Sequence, residues 1–361
     1  MRNYLWIAMA TLTLLSPAAA QNRVVNVYNW SDYVDPTVLD DFTRETGIRV
    51  VYDTYDSNET LETKLLAGKT GYDIVVPSAT FLQRQIQVGV FQKIDRSKLG
   101  NYRNLNADIM GRLSVYDPGN QYAVNYMWFT TGIAFNVGKV KARFGDKAPD
   151  NWDAIFKPEN LRKFADCGVY LLDSPEDIFS AALRFSGLNP DSKNPADIRR
   201  AADTVIKIKP LVKKFHSSEY INALANGDIC LAVGWAGDSF QARNRAQEAR
   251  NGVEIDYLIP KEGTLISLDN LALPKDADHV EEAYAFINYL LRPEVAARNS
   301  RVTNFANPVS DSRNFLPKEI LENKSIYPDD ATMKRLFTVS SKDQATQKII
   351  TREWTRVKTG K

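Results

Sequence analysis

Only two cysteines and two histidines occur in 361 residues. With two cysteines, no site built from pairs of thiolates can hold zinc or an iron–sulfur cluster, and no metal or other cofactor is expected. The two histidines, His216 and His279, stand among polar neighbours and read as surface residues, which leaves a Ser/His/Asp triad little to draw on. Net charge is also scarce. Against 46 basic residues stand 44 acidic ones, so there is no electrostatic case for nucleic acid. Beyond the first 20 residues no apolar run reaches the ~20 residues needed to cross a bilayer. Tandem repeats, low-complexity segments and Gly/Ser-rich hinges are missing as well. If the chain has two lobes, strands must join them.

What is present begins with a leader. Arg2, the apolar run Leu5 to Leu15 and the small residues Ser16-Pro17-Ala18-Ala19-Ala20 form a secretory signal peptide, cleaved after Ala20. The run is too short for a membrane anchor. Cleavage removes one arginine and no acid, leaving the mature chain near +1. Export carries Cys167 and Cys230 into an oxidising compartment, where they form either one disulfide or two buried thiols. The length suggests about two domains, and 44% hydrophobic with 25% charged residues is the composition of a soluble globular protein.

The stretch from Val24 to Pro36 organises the rest. Val24, Val25 and Val27 make a short strand, Trp30, Ser31, Asp32 and Tyr33 form its polar aromatic tip, and Asp35-Pro36 is a capped helix start. The carboxyl end of a strand in an open α/β sheet is where ligands bind. Gly47 stops the first helix, Ile48 to Thr54 reads as a second strand, and a helix through Leu61 and Leu65 ends at Gly68. Tyr72 to Val76 reads as a third strand ending at Pro77-Ser78, with a helix over 81–88, so Ser78 sits at a tip beside the first. The aromatic and β-branched run 121–136 suits a strand crossing between lobes. Beyond it a strand over 168–172 leads into Asp173-Ser174-Pro175-Glu176 and a helix burying Ile178, Phe179, Ala182 and Leu183. Helices fill 196–226, a strand over 230–233 ends in Gly234-Trp235-Ala236-Gly237-Asp238, and strands over 253–259 and 265–273 follow, the second containing Asp269. From Val280 onward the pattern is largely helical, with Ala283, Phe286, Ile287, Leu290 and Leu291 at a period of 3.6.

Four acids recur at strand ends or in crossovers: Asp32, Glu176, Asp238 and Asp269, two of them near Trp30 and Trp235. Singly, an acid in such a turn is a solvated residue or a cap. Together in one cleft they need a cation, because an unpaired buried carboxylate costs several kcal/mol. Indole faces cover methylenes and attract ammonium groups by roughly 0.5–2 kcal/mol each. A flexible aliphatic chain with an amine at each end satisfies both, and a metal ion is the rival cation. A glycosidase could also use paired acids. Ala67-Gly68-Lys69-Thr70 has the ending of a phosphate loop but Thr63 replaces its first glycine, and three Asn-X-Ser/Thr sequons (at Asn29, Asn58 and Asn323) match by pattern alone.

The segments Asn26-Val27-Tyr28-Asn29-Trp30-Ser31-Asp32-Tyr33, Tyr72 to Ser78, Asp173 to Glu176, Val233 to Asp238 and the ending Trp354 to Lys358 resemble the periplasmic polyamine-binding proteins of bacterial ABC importers, especially their putrescine-binding branch. The resemblance implies an α/β, two-lobed periplasmic-binding-protein type II fold, each lobe a mixed sheet flanked by helices. Lobe 1 would take residues 21–130 and 266–330, and lobe 2 residues 131–265 and 331–361. It implies a monomeric, non-enzymatic protein that closes on a polyamine and delivers it to an inner-membrane ABC permease. Carried over by position, Trp30 and Trp235 flank the aliphatic chain and Tyr33 adds to the wall. Asp32, Glu176, Asp238 and Asp269 take the ammonium ends, Ser31, Ser78 and Ser217 add hydrogen bonds, and Cys167 pairs with Cys230. Two departures stand out: Ser267 occupies a position where the family has an aromatic, and Phe305 one where it has a tyrosine. A secreted hydrolase using paired acids and a binder of another cationic solute are the alternatives.

Overall fold

The computed structural model describes residues 23–145 and 147–360, so the leader lies outside the described residues. Its strands are β1 (Val24–Trp30), β2 (Arg49–Tyr55), β3 (Ile74–Val75), β4 (Ala123–Asn136), β5 (Val169–Leu171), β6 (Lys214–Phe215), β7 (Leu231–Trp235), β8 (Ile255–Leu258) and β9 (Ile266–Ala272). They form one path in the order β2-β1-β3-β9-β4-β7-β5-β6, with β8 also on β4. The first three strands are parallel and β9 returns antiparallel. In the second half β5 lies parallel between β6 and β7.

β4 is the strand that joins the two halves. From Ala123 to Thr130 it pairs with β9, and from Thr131 to Phe135 with β7, while β8 covers Ile133 to Asn136. Both faces of its crossing segment are buried, which explains an apolar run without alternation. The chain thus passes between lobes as hydrogen-bonded strand, as the missing Gly/Ser linker required. A C-terminal segment also touches both halves: Ser341 N donates to Gln83 Oε1 (3.1 Å) and Ser340 N to Asp191 Oδ1 (2.9 Å).

Local rules account for the first βαβ unit. Asp35 Oδ1 accepts from Thr37 N at 2.9 Å, Pro36 opens the helix Pro36–Thr46, and Gly47 closes it at φ 70. That helix buries Val38 and Phe42 against β1, whose Val25 and Val27 face inward. Cys167 and Cys230 are joined (S–S 2.07 Å, Cα–Cα 5.6 Å), tying the chain just before β5 to the chain just before β7.

Several sequence expectations need correction. β3 is two residues long, because the Asp73 carboxylate accepts from Asn26 N and His279 N instead of leaving that segment to the ladder, and Pro77 has no N–H to extend it. The region 196–226 is not all helix: Pro210 follows the end of the helix Pro195–Ile208, and β6 precedes the helix Glu219–Ala225. Trp235 is the last residue of β7, not part of a loop. Between Asn304 and Asp343 only short turns form, broken at Pro308, Pro317 and Pro328, before the helix Gln344–Thr359. The histidines are partly buried structural groups. His279 Nδ1 lies 3.1 Å from Asp73 Oδ2, and His216 Nδ1 accepts from Ser218 N and Glu219 N, both at 3.1 Å, capping the next helix. For His216 the polar sequence neighbours are the partners, whereas the partner of His279 comes from 206 residues away.

Candidate ligand-binding site

The site is assembled at strand ends. β1 delivers Trp30 and the turn Ser31-Asp32-Tyr33, β3 leads to Ser78, and β9 carries Ser267 and Asp269. From the other half, the helix Pro175–Phe185 presents Glu176 in its first turn, Ser217 precedes the helix Glu219–Ala225, and β7 runs through Trp235 into the helix Ala236–Ala249 with Asp238. Phe305 follows the helix Pro293–Thr303. These twelve residues line two adjoining cavities of about 480 and 1030 Å³, open solvent included, that share Trp30, Asp56, Ser78, Phe129, Ser217 and Trp235. Asp32, Tyr33, Asp238, Asp269 and Phe305 line the smaller; Glu176 and Ser267 line only the larger.

The indoles of Trp30 and Trp235 meet across the cleft edge to face, 5.9 Å between centroids at 74°. Each has its N–H occupied: Trp30 Nε1 donates to Val76 O (2.9 Å) and Trp235 Nε1 to Asp177 Oδ1 (3.3 Å). Tyr33 stacks edge-on against Phe305 at 4.7 Å, and Phe305 against Phe129 at 5.1 Å. This closes an aromatic wall around the acids.

Asp269 is 2% exposed and accepts from Ser78 Oγ at 2.6 Å. Asp238 is 7% exposed and accepts from Tyr220 Oη at 2.8 Å. Glu176 accepts from Thr80 Oγ1 at 3.1 Å. None of the three has a cationic side-chain partner at ion-pair distance among the described residues. Burial pushes each up to about 7; Asp177 adds to the effect at Glu176, and Asp32 to that at Asp238, where the Tyr220 hydroxyl opposes it. Tyr33 is pushed well above its ordinary range by burial and by the neighbouring Asp269 carboxylate. Such a pocket stabilises neutral acids when empty and gains most from a guest that brings its own positive charge. Among the described residues no group of three or more His, Cys, Asp or Glu side chains is arranged to hold a metal ion.

Asp32 differs from the other acids. It takes a left-handed backbone at φ 55, and Oδ1 pairs with Arg245 Nη2 of the opposite half at 2.8 Å. Gln241 Nε2 also donates to Asp32 O (3.3 Å) and to Thr303 O (3.1 Å), so the two halves are laced together beside the cleft. The sequence showed no arginine beside the tip motifs. Arg245 is nevertheless brought to one of them, seven residues and about two helical turns beyond Asp238, with Gln241 between. That spacing was the available signal. Asp177, Tyr220, Tyr55 and Phe129 were also missed, because each lies inside an ordinary helix or strand pattern.

The sequence profile described as bacterial extracellular solute-binding protein matches residues 37–328. The chain is 52% identical to the putrescine-binding periplasmic protein SpuD of Pseudomonas aeruginosa strain UCBPP-PA14, over 95% of this chain and 94% of that one. It is 49% identical to the putrescine-binding periplasmic protein PotF of Escherichia coli K12, over 95% and 93%. Among solved structures, the spermidine/putrescine ABC transporter substrate-binding protein PotD of Streptococcus pneumoniae superposes with a TM-score of 0.77 at 29% identity, covering 93% of this chain and 99% of that one. The mixed-sheet architecture is that of type II periplasmic binding proteins, and the chain belongs to the family of bacterial extracellular solute-binding proteins.

Proposed function

We propose that this protein captures a polyamine in the periplasm, putrescine first among them, and as a monomer delivers it to an inner-membrane ABC permease. The observation that carries the reading is the set of three buried carboxyls, Glu176, Asp238 and Asp269, each pushed up to about 7 beside two crossed indoles, with no side-chain cation at ion-pair distance among the described residues and only the more distant Arg84 and Lys342 acting on Glu176 and Arg245 on Asp238. A chain of methylenes between two ammonium groups covers the indole surface and supplies positive charge at both ends. The names of the relatives at 52% and 49% identity agree with that chemistry.

In this reading the methylenes lie along the aromatic surface that Trp30 and Trp235 form together, Asp238 and Asp269 take one ammonium and Glu176 the other, and Ser31, Ser78 and Ser217 hydrogen-bond around them. Asp32 acts mainly through Arg245 as a contact of the closed form. Lobe 1 comprises residues 21–130 and 266–330 and lobe 2 residues 131–265 and 331–361. Supporting the last assignment, Trp354 packs on Phe179 at 5.5 Å and on Phe215 at 5.4 Å. Ligand shifts an open and closed equilibrium by binding the closed form better. Spermidine is the second ligand, because a serine at 267 takes less room in the larger cavity than an aromatic would.

Titration calorimetry of the mature chain with putrescine, cadaverine, spermidine and agmatine tests the function. Binding to none of them below about millimolar overturns it. Asp238→Asn, which strands an ammonium without its counter-charge, should weaken binding about 10- to 100-fold. Ser78→Ala, which only removes a donor to Asp269, should cost under about 10-fold. Equal small losses would contradict the roles given to them.

A further inference from the structure

Asp177 is adjacent to a cleft acid in sequence, yet it serves other groups. It is 6% exposed, in the first turn of the helix Pro175–Phe185. Its Oδ2 accepts from Ser174 Oγ at 2.6 Å, the N-cap of that helix. Its Oδ1 accepts from the Thr131 hydroxyl and, at 3.3 Å, from the indole N–H of Trp235. Thr131 is the point at which β4 leaves β9 and begins to pair with β7, and its partner in that register is Trp235. One carboxylate therefore touches the crossover strand, the cap of the helix that carries Glu176, and one wall of the slot.

The two wall indoles differ in what holds them. Trp30 leans on a main-chain carbonyl, Val76 O, which moves only with its lobe. Trp235 leans on a side chain shared with the crossover. An indole N–H is a donor with no alternative role, so its ring angle follows its acceptor. A charged acceptor binds it more strongly than a neutral one would. All three side-chain groups converging on Asp177 can donate, and together they offset part of the burial that pushes its carboxyl above the ordinary range.

We propose that Asp177 is a positioning residue for ligand capture: it sets the angle of the Trp235 indole and ties that angle to the crossover strand at Thr131. The inference rests on the cleft being the polyamine site. Without Asp177 the Trp235 ring loses its only hydrogen-bond acceptor among the described residues, and the face presented to the methylenes is no longer fixed.

A double-mutant cycle on the full mature chain, read by putrescine calorimetry, tests it. Asp177→Ala should weaken binding roughly 10- to 100-fold, the loss attached to a hydrogen bond with a charged group. In a Trp235→Phe background, which has no N–H to hold, the same change should cost less than about 3-fold. Equal losses in both backgrounds, or no loss in the first, would overturn the proposal. Should Asp177→Ala not fold, the ligand-free protein with Asp177→Asn gives an independent answer by nitrogen-15 correlation spectroscopy. The Trp235 indole resonance, identified by its disappearance in Trp235→Phe, should move upfield while that of Trp30 stays. An unmoved Trp235 resonance refutes the proposal. Because this arm uses no ligand, it separates failure of the positioning role from failure of the ligand assignment.

Discussion

Acidification should weaken ligand binding far more steeply than the solution chemistry of either partner suggests. Aliphatic ammonium groups stay charged well above pH 7, and carboxyls in water stay ionised down to about pH 4. In this cleft Glu176, Asp238 and Asp269 are each pushed up to about 7 by burial. A group with a pKa near 7 is about three-quarters ionised at pH 7.5 and about 3% ionised at pH 5.5, so a guest requiring it ionised loses about 25-fold in affinity over that interval. If two such groups must ionise, the limit is about 600-fold, reduced by whatever water the open form admits. Binding near neutral pH should then release protons, visible as a binding enthalpy that depends on the ionisation heat of the buffer. The stability of the empty protein should run the other way. These acids sit above their ordinary values of 3.8 and 4.5, so the folded form binds protons the unfolded chain does not, and this contribution fades as pH rises through about 7. The increase in melting temperature produced by putrescine should accordingly be larger at pH 8 than at pH 5.5. An affinity constant within about 3-fold from pH 7.5 to 5.5, with no proton release, would refute the view that the empty cleft holds neutral acids.

Gly237→Ala should prevent full closure, since a Cβ there would lie 2.2 Å from Phe305 Cδ2, a ring 3% exposed in the opposite lobe. Overpacking of about 1–3 kcal/mol predicts a 5- to 150-fold weaker complex, with ligand-induced compaction lost in X-ray scattering. Arg245→Gln removes a half-exposed pair with Asp32 and should cost at most about 5-fold, seen as faster release in stopped-flow; a loss above about 30-fold would mean that the pair does more than hold the closed form. Replacing both Cys167 and Cys230 by alanine opens a loop closed over a sequence separation of 63, which should lower stability by about 4 kcal/mol in urea titration while leaving putrescine affinity at low temperature within about 3-fold.

Much of the site was legible because its signals are local. Trp30 to Tyr33, Ser78, Glu176 and Asp238 follow strands or open helices, and a side chain at such a junction is recognisable from strand, cap and proline patterns alone. Asp269 was legible for another reason, as a lone acid within an apolar strand. Partners that come from distant sequence leave no local signal. His279 looked solvated until Asp73, 206 residues away, came beside it.

The amino-acid order by itself determined the strand tips, the helix starts, the pair of indoles and the surplus of acid, because these depend on neighbours within a few residues. Only the tertiary structure decided which acids lack a cation, which aspartate is an interlobe contact, and that a buried carboxylate at 177 steers an indole. Those outcomes depend on distance and burial, and the energy of a charge is set by whatever the fold places around it.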